Sequence, residues 1–266
     1  MVPPSWYFVA PADSLSVGGR TIEVVAGDRL LELRRDHHGT VLGRIADAPV
    51  DLCERGPLVL AWLGGGSPHF EVAGFDCADW TAMRMFHLDL PTTPAMVMRD
   101  LADIEHFEVV HGYTNVEVTQ ELRCEGASFT TELSFGWDTG IPNAYLPTRL
   151  CARVDGLGVQ RTEIESLAGQ LHSRHLLLPT PRIGGITRVT AAYSVKVERL
   201  LGPLERAKTS VLRAYVGRSF TRDLQRDAQL WTGQSRYRAG DSERLLRFRQ
   251  WYQQFDPPRQ SAHCPT

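Results

Sequence analysis

Arg99-Asp-Leu-Ala-Asp-Ile-Glu-His-Phe-Glu-Val-Val-His-Gly-Tyr-Thr-Asn-Val-Glu-Val-Thr-Gln-Glu-Leu-Arg-Cys124 changes its period at Gly112. Before the glycine the pattern predicts a helix of about three turns, in which Asp103 and His106 share a face with Phe107 and Val110. Gly112 is a helix stop, and it leaves His111 at the frayed end, free to turn back toward His106. After the glycine, residues 114–124 alternate and predict a strand. Acid and imidazole groups on an apolar face need partners, since burying them unpaired costs roughly several kcal/mol. Two histidines and a distant carboxylate are what a two-histidine, one-carboxylate iron site requires.

Working outward, strands are predicted over 127–137, 148–154, 159–166, 170–178 and 186–198, with turns at Asp138-Thr-Gly140 and Asp155-Gly156. Short strands at 22–25, 30–33, 40–42 and 57–63 precede the motif, and 70–97 also reads as strand-rich. The glycine run Gly64-Gly-Gly-Ser-Pro68 marks a domain boundary. Two helices close the chain, over 204–230 and 242–255. The second has Asp241 as N-cap, a stripe of Leu245, Phe248, Tyr252 and Phe255, and a stop at Pro257-Pro258. Runs of strands followed by long helices give an α+β class: a curved antiparallel sheet wrapped around C-terminal helices, a helix-grip arrangement. The division expected is 1–65, 68–258 and a tail over 259–266.

Composition removes several classes of function. A net charge of −2 with Lys and Arg scattered argues against a nucleic-acid or anionic-membrane surface. Met1-Val-Pro-Pro-Ser-Trp6 lacks the basic and apolar regions of a signal peptide, and no apolar run reaches the ~18 residues of a membrane span. Cys53, Cys77, Cys124, Cys151 and Cys264 are odd in number and far apart, so they read as reduced thiols. The expectation is a soluble, cytoplasmic protein.

The penultimate helix supplies a carboxylate. Phe220, Leu224, Asp227 and Trp231 fall on one helical face, so Asp227 is the polar residue of an apolar stripe. It either pairs with Arg222 or Arg226 or serves as the third ligand beside His106 and His111.

Four places carry a family resemblance. These are Ser5-Trp-Tyr-Phe-Val-Ala-Pro-Ala-Asp-Ser-Leu15, Glu54-Arg-Gly-Pro-Leu-Val-Leu-Ala-Trp62, Asp103-Ile-Glu-His-Phe-Glu-Val-Val-His-Gly112, and Arg226-Asp-Ala-Gln-Leu-Trp231 with Phe248-Arg-Gln-Trp-Tyr-Gln-Gln-Phe255. Together they resemble the α-subunits of Rieske non-heme iron oxygenases, in the ketosteroid-hydroxylase and cholesterol-desaturase branch. The resemblance implies Fe(II) on His106, His111 and Asp227. It also implies that Asp103 bridges toward a two-iron cluster in a neighbouring subunit of a trimer. The cluster motifs C-x-H and C-x-x-H have no counterpart here, because neither Cys53 nor Cys77 has a histidine at the required offset. The chain skips that segment between 41–45 and 47–50, which implies a vestigial Rieske-like β subdomain with no [2Fe-2S] cluster.

Three readings of the chemistry follow. The first is non-redox conversion of a bulky hydrophobic polyketide, terpenoid or steroid-like molecule, such as cyclisation or rearrangement, with Asp103, His106, His111 and Asp227 as the polar centre. The second is iron-dependent hydroxylation or desaturation, with electrons from a full-length subunit in a mixed oligomer or from a ferredoxin. The third is a binding or scaffold subunit. Met83, Met85, Phe86, Met96, Met98, Phe107, Phe135, Trp137, Tyr145 and Trp231 are the apolar material for core or pocket. His69, His87, His172 and His175 are spare candidates for acid–base work in the pocket, each read first as a surface or hydrogen-bonded group.

Overall fold

Strands buried on both faces, one in the N-terminal part and two near the end of the β region, set the architecture. In the computed structural model, which describes residues 2–138, 144–166, 171–196 and 203–255, the N-terminal part forms two small sheets. Strands β1 (Ser5–Pro11), β6 (Leu52–Arg55) and β7 (Leu58–Leu63) pair in the order β1-β7-β6. Strands β2 (Ile22–Ala26), β3 (Arg29–Arg35), β4 (Val41–Ile45) and β5 (Ala48–Pro49) pair in sequence order. All six residues of β7 are buried. Val59, Ala61 and Leu63 join the main core, while Leu58, Leu60 and Trp62 join a second cluster with Trp6 and Phe8. A strand covered on both faces reads as a continuous apolar run, as residues 57–63 do.

The turn from β4 to β5 is two residues long. Ala46 and Asp47 have φ of 48° and 67°, the left-handed pair of a type I′ hairpin. This tight turn occupies the place where the resemblance puts the first cluster-binding segment. His38 is exposed at the neighbouring β3–β4 hairpin, where Asp36 Oδ1 accepts from the backbone N–H groups of His38 and Thr40.

The large sheet is antiparallel throughout. Its strands are β8 (Arg84–Leu90), β9 (Thr114–Glu125), β10 (Ser128–Asp138), β11 (Tyr145–Asp155), β12 (Val159–Ser166), β13 (Leu171–Pro181) and β14 (Thr187–Val195), in the order β8-β14-β13-β12-β11-β10-β9. Edge strand β9 alternates between half-buried and exposed positions over most of its length. The inner strands β13 and β14 are buried almost throughout. Their second face is covered by the N-terminal sheet, whose Trp6, Phe8 and Leu60 pack with Val159, Leu176, Leu178 and Ala192. The 70–97 region departs from the strand expectation: only β8 is a long strand, and residues 68–83 run irregularly except for one isolated bridge at Trp80. Part of that stretch clamps Arg174, whose guanidinium lies 4.1 Å from the Trp80 ring centroid and 5.1 Å from that of Phe75.

Helix α1 (Pro94–Arg99) opens with Thr93 as N-cap and Pro94 in its first turn. The expected three-turn helix does not continue from there. A 3-10 turn spans Asp100–Ala102, Asp103 is extended at φ −96° and ψ 90°, and α2 (Glu105–Val109) starts afresh. Asp103 and His106 therefore do not share a helix face. The reason is local, because the Asp103 carbonyl, which a continuous helix would give to a backbone N–H, instead accepts from His106 Nδ1. Gly112, at φ 72°, donates to the Glu108 carbonyl and closes α2 as expected.

Helix α3 (Pro203–Trp231) packs its buried Val216, Phe220, Leu224 and Trp231 into the main core. Helix α4 (Glu243–Tyr252) is capped by Ser242, whose Oγ accepts from Leu245 N at 3.2 Å; Asp241 instead pairs with Arg249. Its core stripe is Leu245, Phe248, Trp251 and Phe255, with Tyr252 half-buried. Phe248 and Trp251 both meet the ring of Phe129 edge-on. Pro257 and Pro258 lie outside the described residues. Among the described residues, no helix is long and apolar enough to cross a membrane.

The N-terminal sheet touches the β11–β12 turn at Gly158, where a Cβ would stand 2.0 Å from the Trp6 carbonyl oxygen. Gly158→Ala is expected to lower stability by about 1–3 kcal/mol in urea unfolding. Gly74→Ala, in open space, should stay within about 0.5 kcal/mol.

Candidate metal centre

The break at Asp103 aims His106. Only a protonated Nδ1 can bond a carbonyl, so the tautomer is set and Nε2 is left as the free nitrogen. His106 is buried, and its ring centroid lies 5.1 Å from that of His111, just past the end of α2. His111 is held in turn by its ring stacking at 5.2 Å on Tyr113 and by Arg226, which donates to its backbone carbonyl at 2.8 Å. Across the cavity, α3 brings Asp227 Oδ1 to 3.0 Å from His111 Nε2.

One ligand atom each from His106, His111 and Asp227 fits within 4.8 Å of the others. Two metal–ligand bonds of ~2.1 Å span nearly that distance. Asp227 Oδ1 lies against His111 Nε2, while His111 Nδ1, turned toward Asp223, has no hydrogen-bond partner among the described residues. Two imidazoles and a carboxylate are the donor set of a facial iron site, and they fit it. Asp227 does not take the arginine pairing: Arg226 serves the His111 carbonyl and Arg222 lies 3.5 Å from Asp223.

Asp103 stands outside this group. Its Oδ1 accepts from the Tyr237 hydroxyl at 2.7 Å, and its contribution to the centre is the backbone carbonyl. The Tyr237 hydroxyl is made less acidic by burial and by that carboxylate.

Two further acids adjoin the centre, and neither was singled out in the sequence. Asp223 accepts from Tyr113 at 2.9 Å and lies 3.8 Å from His111 Nδ1; burial raises its pKa. Asp100 accepts from Trp231 Nε1 through Oδ2, and burial, then the nearby Asp227, raise its pKa well above the carboxylate range. Helical spacing was the available signal for Asp223, one turn before Asp227. Burial, followed by the charge of His111, pushes His106 down to about 4. For His111 burial acts downward, but Asp227 and Asp223 outweigh it and raise its basicity.

The centre opens on a cavity of about 90 Å³ lined by apolar rings from Phe107, Phe135, Trp137 and Phe220 together with the polar side chains of Gln160 and His175. Among the described residues, no lysine or arginine lines it. Of the apolar candidates, Met83 and Met85 pack on the second cluster, Met98 is in the core and Tyr145 is exposed. Of the spare histidines, His69 and His87 are exposed and His172 is half-buried. His175 departs from the surface reading: it is buried, stacked on Phe220 at 4.2 Å, and its Nε2 has no partner. Burial pushes its pKa down to about 3.

The sequence model for the 3-ketosteroid 9alpha-hydroxylase C-terminal domain matches residues 63–255, well over half of the chain. The chain belongs to this family. No curated protein sequence matches it. Among solved structures, dicamba monooxygenase bound to dicamba superposes with a TM-score of 0.68 at 13% identity, covering 96% of this chain and 97% of that one. The terminal oxygenase of carbazole 1,9a-dioxygenase from Novosphingobium sp. KA1 gives 0.60 at 12%, covering 94% and 92%. The Pseudomonas putida CBB5 protein NdmA with caffeine gives 0.59 at 11%, covering 93% and 88%. At these identities the likeness is one of fold. The ketosteroid-hydroxylase family member described here is thus an α+β, Rieske oxygenase-like protein of an enzyme family.

Two outcomes are expected. In anaerobic titrations the protein binds one Fe(II), His106→Ala and Asp227→Ala weaken binding by about 100-fold, and Asp103→Asn, which keeps its carbonyl, changes it by less than about tenfold. A wild-type protein that binds no ferrous iron would contradict the assignment. For His175 the unfolded chain binds more protons between pH 6.5 and about 3, so its stability contribution is full above pH 6.5 and falls as pH drops. Urea unfolding should show wild type losing up to about 1.4 kcal/mol per pH unit relative to His175→Leu in that range.

Proposed function

We propose that the chain is the metal-bearing oxidation component of a Rieske-type system, acting on a hydrophobic small molecule in the cavity beside His106, His111 and Asp227. The convergence of one ligand atom each from His106, His111 and Asp227 to within 4.8 Å of one another, at buried or half-buried positions, carries the reading. Ferrous iron held there, with coordination positions left open, would supply dioxygen activation. The family and the oxygenases named above support oxidation over cyclisation or isomerisation, the chemistry placed first in the sequence reading. On this proposal residues 1–65 are a cluster-free β unit and 68–258 the catalytic domain. The electrons come from a separate redox protein, either a ferredoxin or a full-length oxygenase subunit in a mixed assembly.

The chain's own side chains do the positioning. The Asp103 carbonyl holds the His106 ring, and Tyr113 and Arg226 hold His111. Phe107, Phe135, Trp137 and Phe220 keep bulk water from the reacting carbon, which strengthens the electrostatics of the site. A cavity of about 90 Å³ is below the ~300 Å³ of a drug-sized pocket. Monocyclic substrates therefore fit first, and a polycyclic one requires the walls to part.

One observation favours a second reading, non-redox conversion at the same centre. The carboxylate that the resemblance uses as the bridge to a neighbouring cluster is taken up by Tyr237 of its own chain. The two readings separate with Fe(II)-loaded protein, a 3-ketosteroid or a phenol, and ¹⁸O-labelled hydrogen peroxide, which supplies both the oxygen atom and the oxidising equivalents. Oxidation predicts a product heavier by one labelled oxygen, lost in His106→Ala. A product isomeric with its substrate, formed anaerobically without peroxide, overturns oxidation and supports the alternative.

A further inference from the structure

The wall formed by β12 and β13 carries a second polar group that the metal centre does not use. Gln160 and His175 are each 7% exposed, both line the cavity, and Gln160 Oε1 and His175 Nε2 have no hydrogen-bond partner in the protein. Buried polar atoms of native proteins are almost always satisfied, so two orphans on one wall need a third party. Their placement is set by strand register: Thr162 pairs with His175 and Gln160 with Leu177, which makes Gln160 and His175 diagonal neighbours on one face. Diagonal positions lie about 7–8 Å apart, a span that one atom between two side chains can bridge.

The chemistry of the pair narrows what bridges it. Gln160 Oε1 only accepts, and His175 Nε2 donates when its proton is there. A hydroxyl satisfies both, donating to Gln160 and accepting from His175, whereas a ketone leaves Gln160 unpaired. An anion is disfavoured, because Asp100, Asp223 and Asp227 line the same cavity without lysine or arginine. We infer that Gln160 and His175 form a recognition site for the neutral hydroxyl group of an otherwise hydrophobic substrate, an alcohol or phenol. The inference rests on the reading of this cavity as the reaction chamber.

Binding of three probes of one size tests it: phenol, toluene and benzoate, titrated into the full chain and followed by saturation-transfer NMR and by the ¹⁵N shifts of labelled histidine side chains. Phenol is expected to bind at least about tenfold more tightly than toluene or benzoate and to shift the His175 Nε2 resonance. Gln160→Leu and His175→Leu should each erase the preference for phenol over toluene. Equal binding of phenol and toluene, retention of the preference in both variants, or no saturable phenol binding overturns the inference and leaves ordered water as the partner of the two orphans. The three-probe comparison needs only wild-type protein, so it stands even if a variant fails to fold. A wild type that prefers phenol but binds no iron refutes the metal reading alone.

Discussion

A single bond between an imidazole and a backbone carbonyl organises this molecule. His106 Nδ1 donates to the Asp103 carbonyl, which the extended backbone of Asp103 turns toward the ring. The helix that begins at Pro94 ends by Ala102 and restarts at Glu105. The kink turns His106 Nε2 inward and leaves the Asp103 carboxylate to Tyr237. It also lets α2 close one turn later at Gly112, so that His111 swings back beside its partner. A straight helix would have placed Asp103 and His106 on one face and sent His111 elsewhere.

Around this bend the fold gathers charge where water is excluded. Asp100, Asp223 and Asp227 adjoin two buried histidines, and burial acts against the charged form of Asp100, Asp223, His106 and His111. Such a group costs free energy in an apolar core unless something positive joins it. A divalent cation at this point would relieve the excess directly. The sheet supplies the rigidity, since β12 to β14 are clamped between the helices and the N-terminal strands.

The N-terminal unit performs this clamping with none of the ligands a Rieske cluster needs on its two-residue β4–β5 turn. Its β1 and β7 side chains point alternately into two clusters, one shared with the metal centre and one on the back of the large sheet. That packing gives the unit a structural reason to persist, independent of electron transfer.

Local pattern carried much of this protein. The strands over 114–195, the helix over 203–231 and the position of Asp227 on its apolar face are visible because period and burial are properties of neighbouring residues. The histidine pair was legible for the same reason, with four residues between them and a glycine after. Gln160 and Asp223 were not legible as parts of a site, and His175 was legible only as one of four spare pocket imidazoles. Gln160 and His175 meet through antiparallel register, which a linear reading does not contain, and their significance lies in partners they lack. The helix break at Asp103 was equally hidden, because a side chain three residues on outcompetes the backbone for one carbonyl. Sequence alone determined the α+β class and nominated His106, His111 and Asp227 as candidate donors; only the tertiary structure decided where each of them points, since direction is set by contacts between segments far apart in the chain.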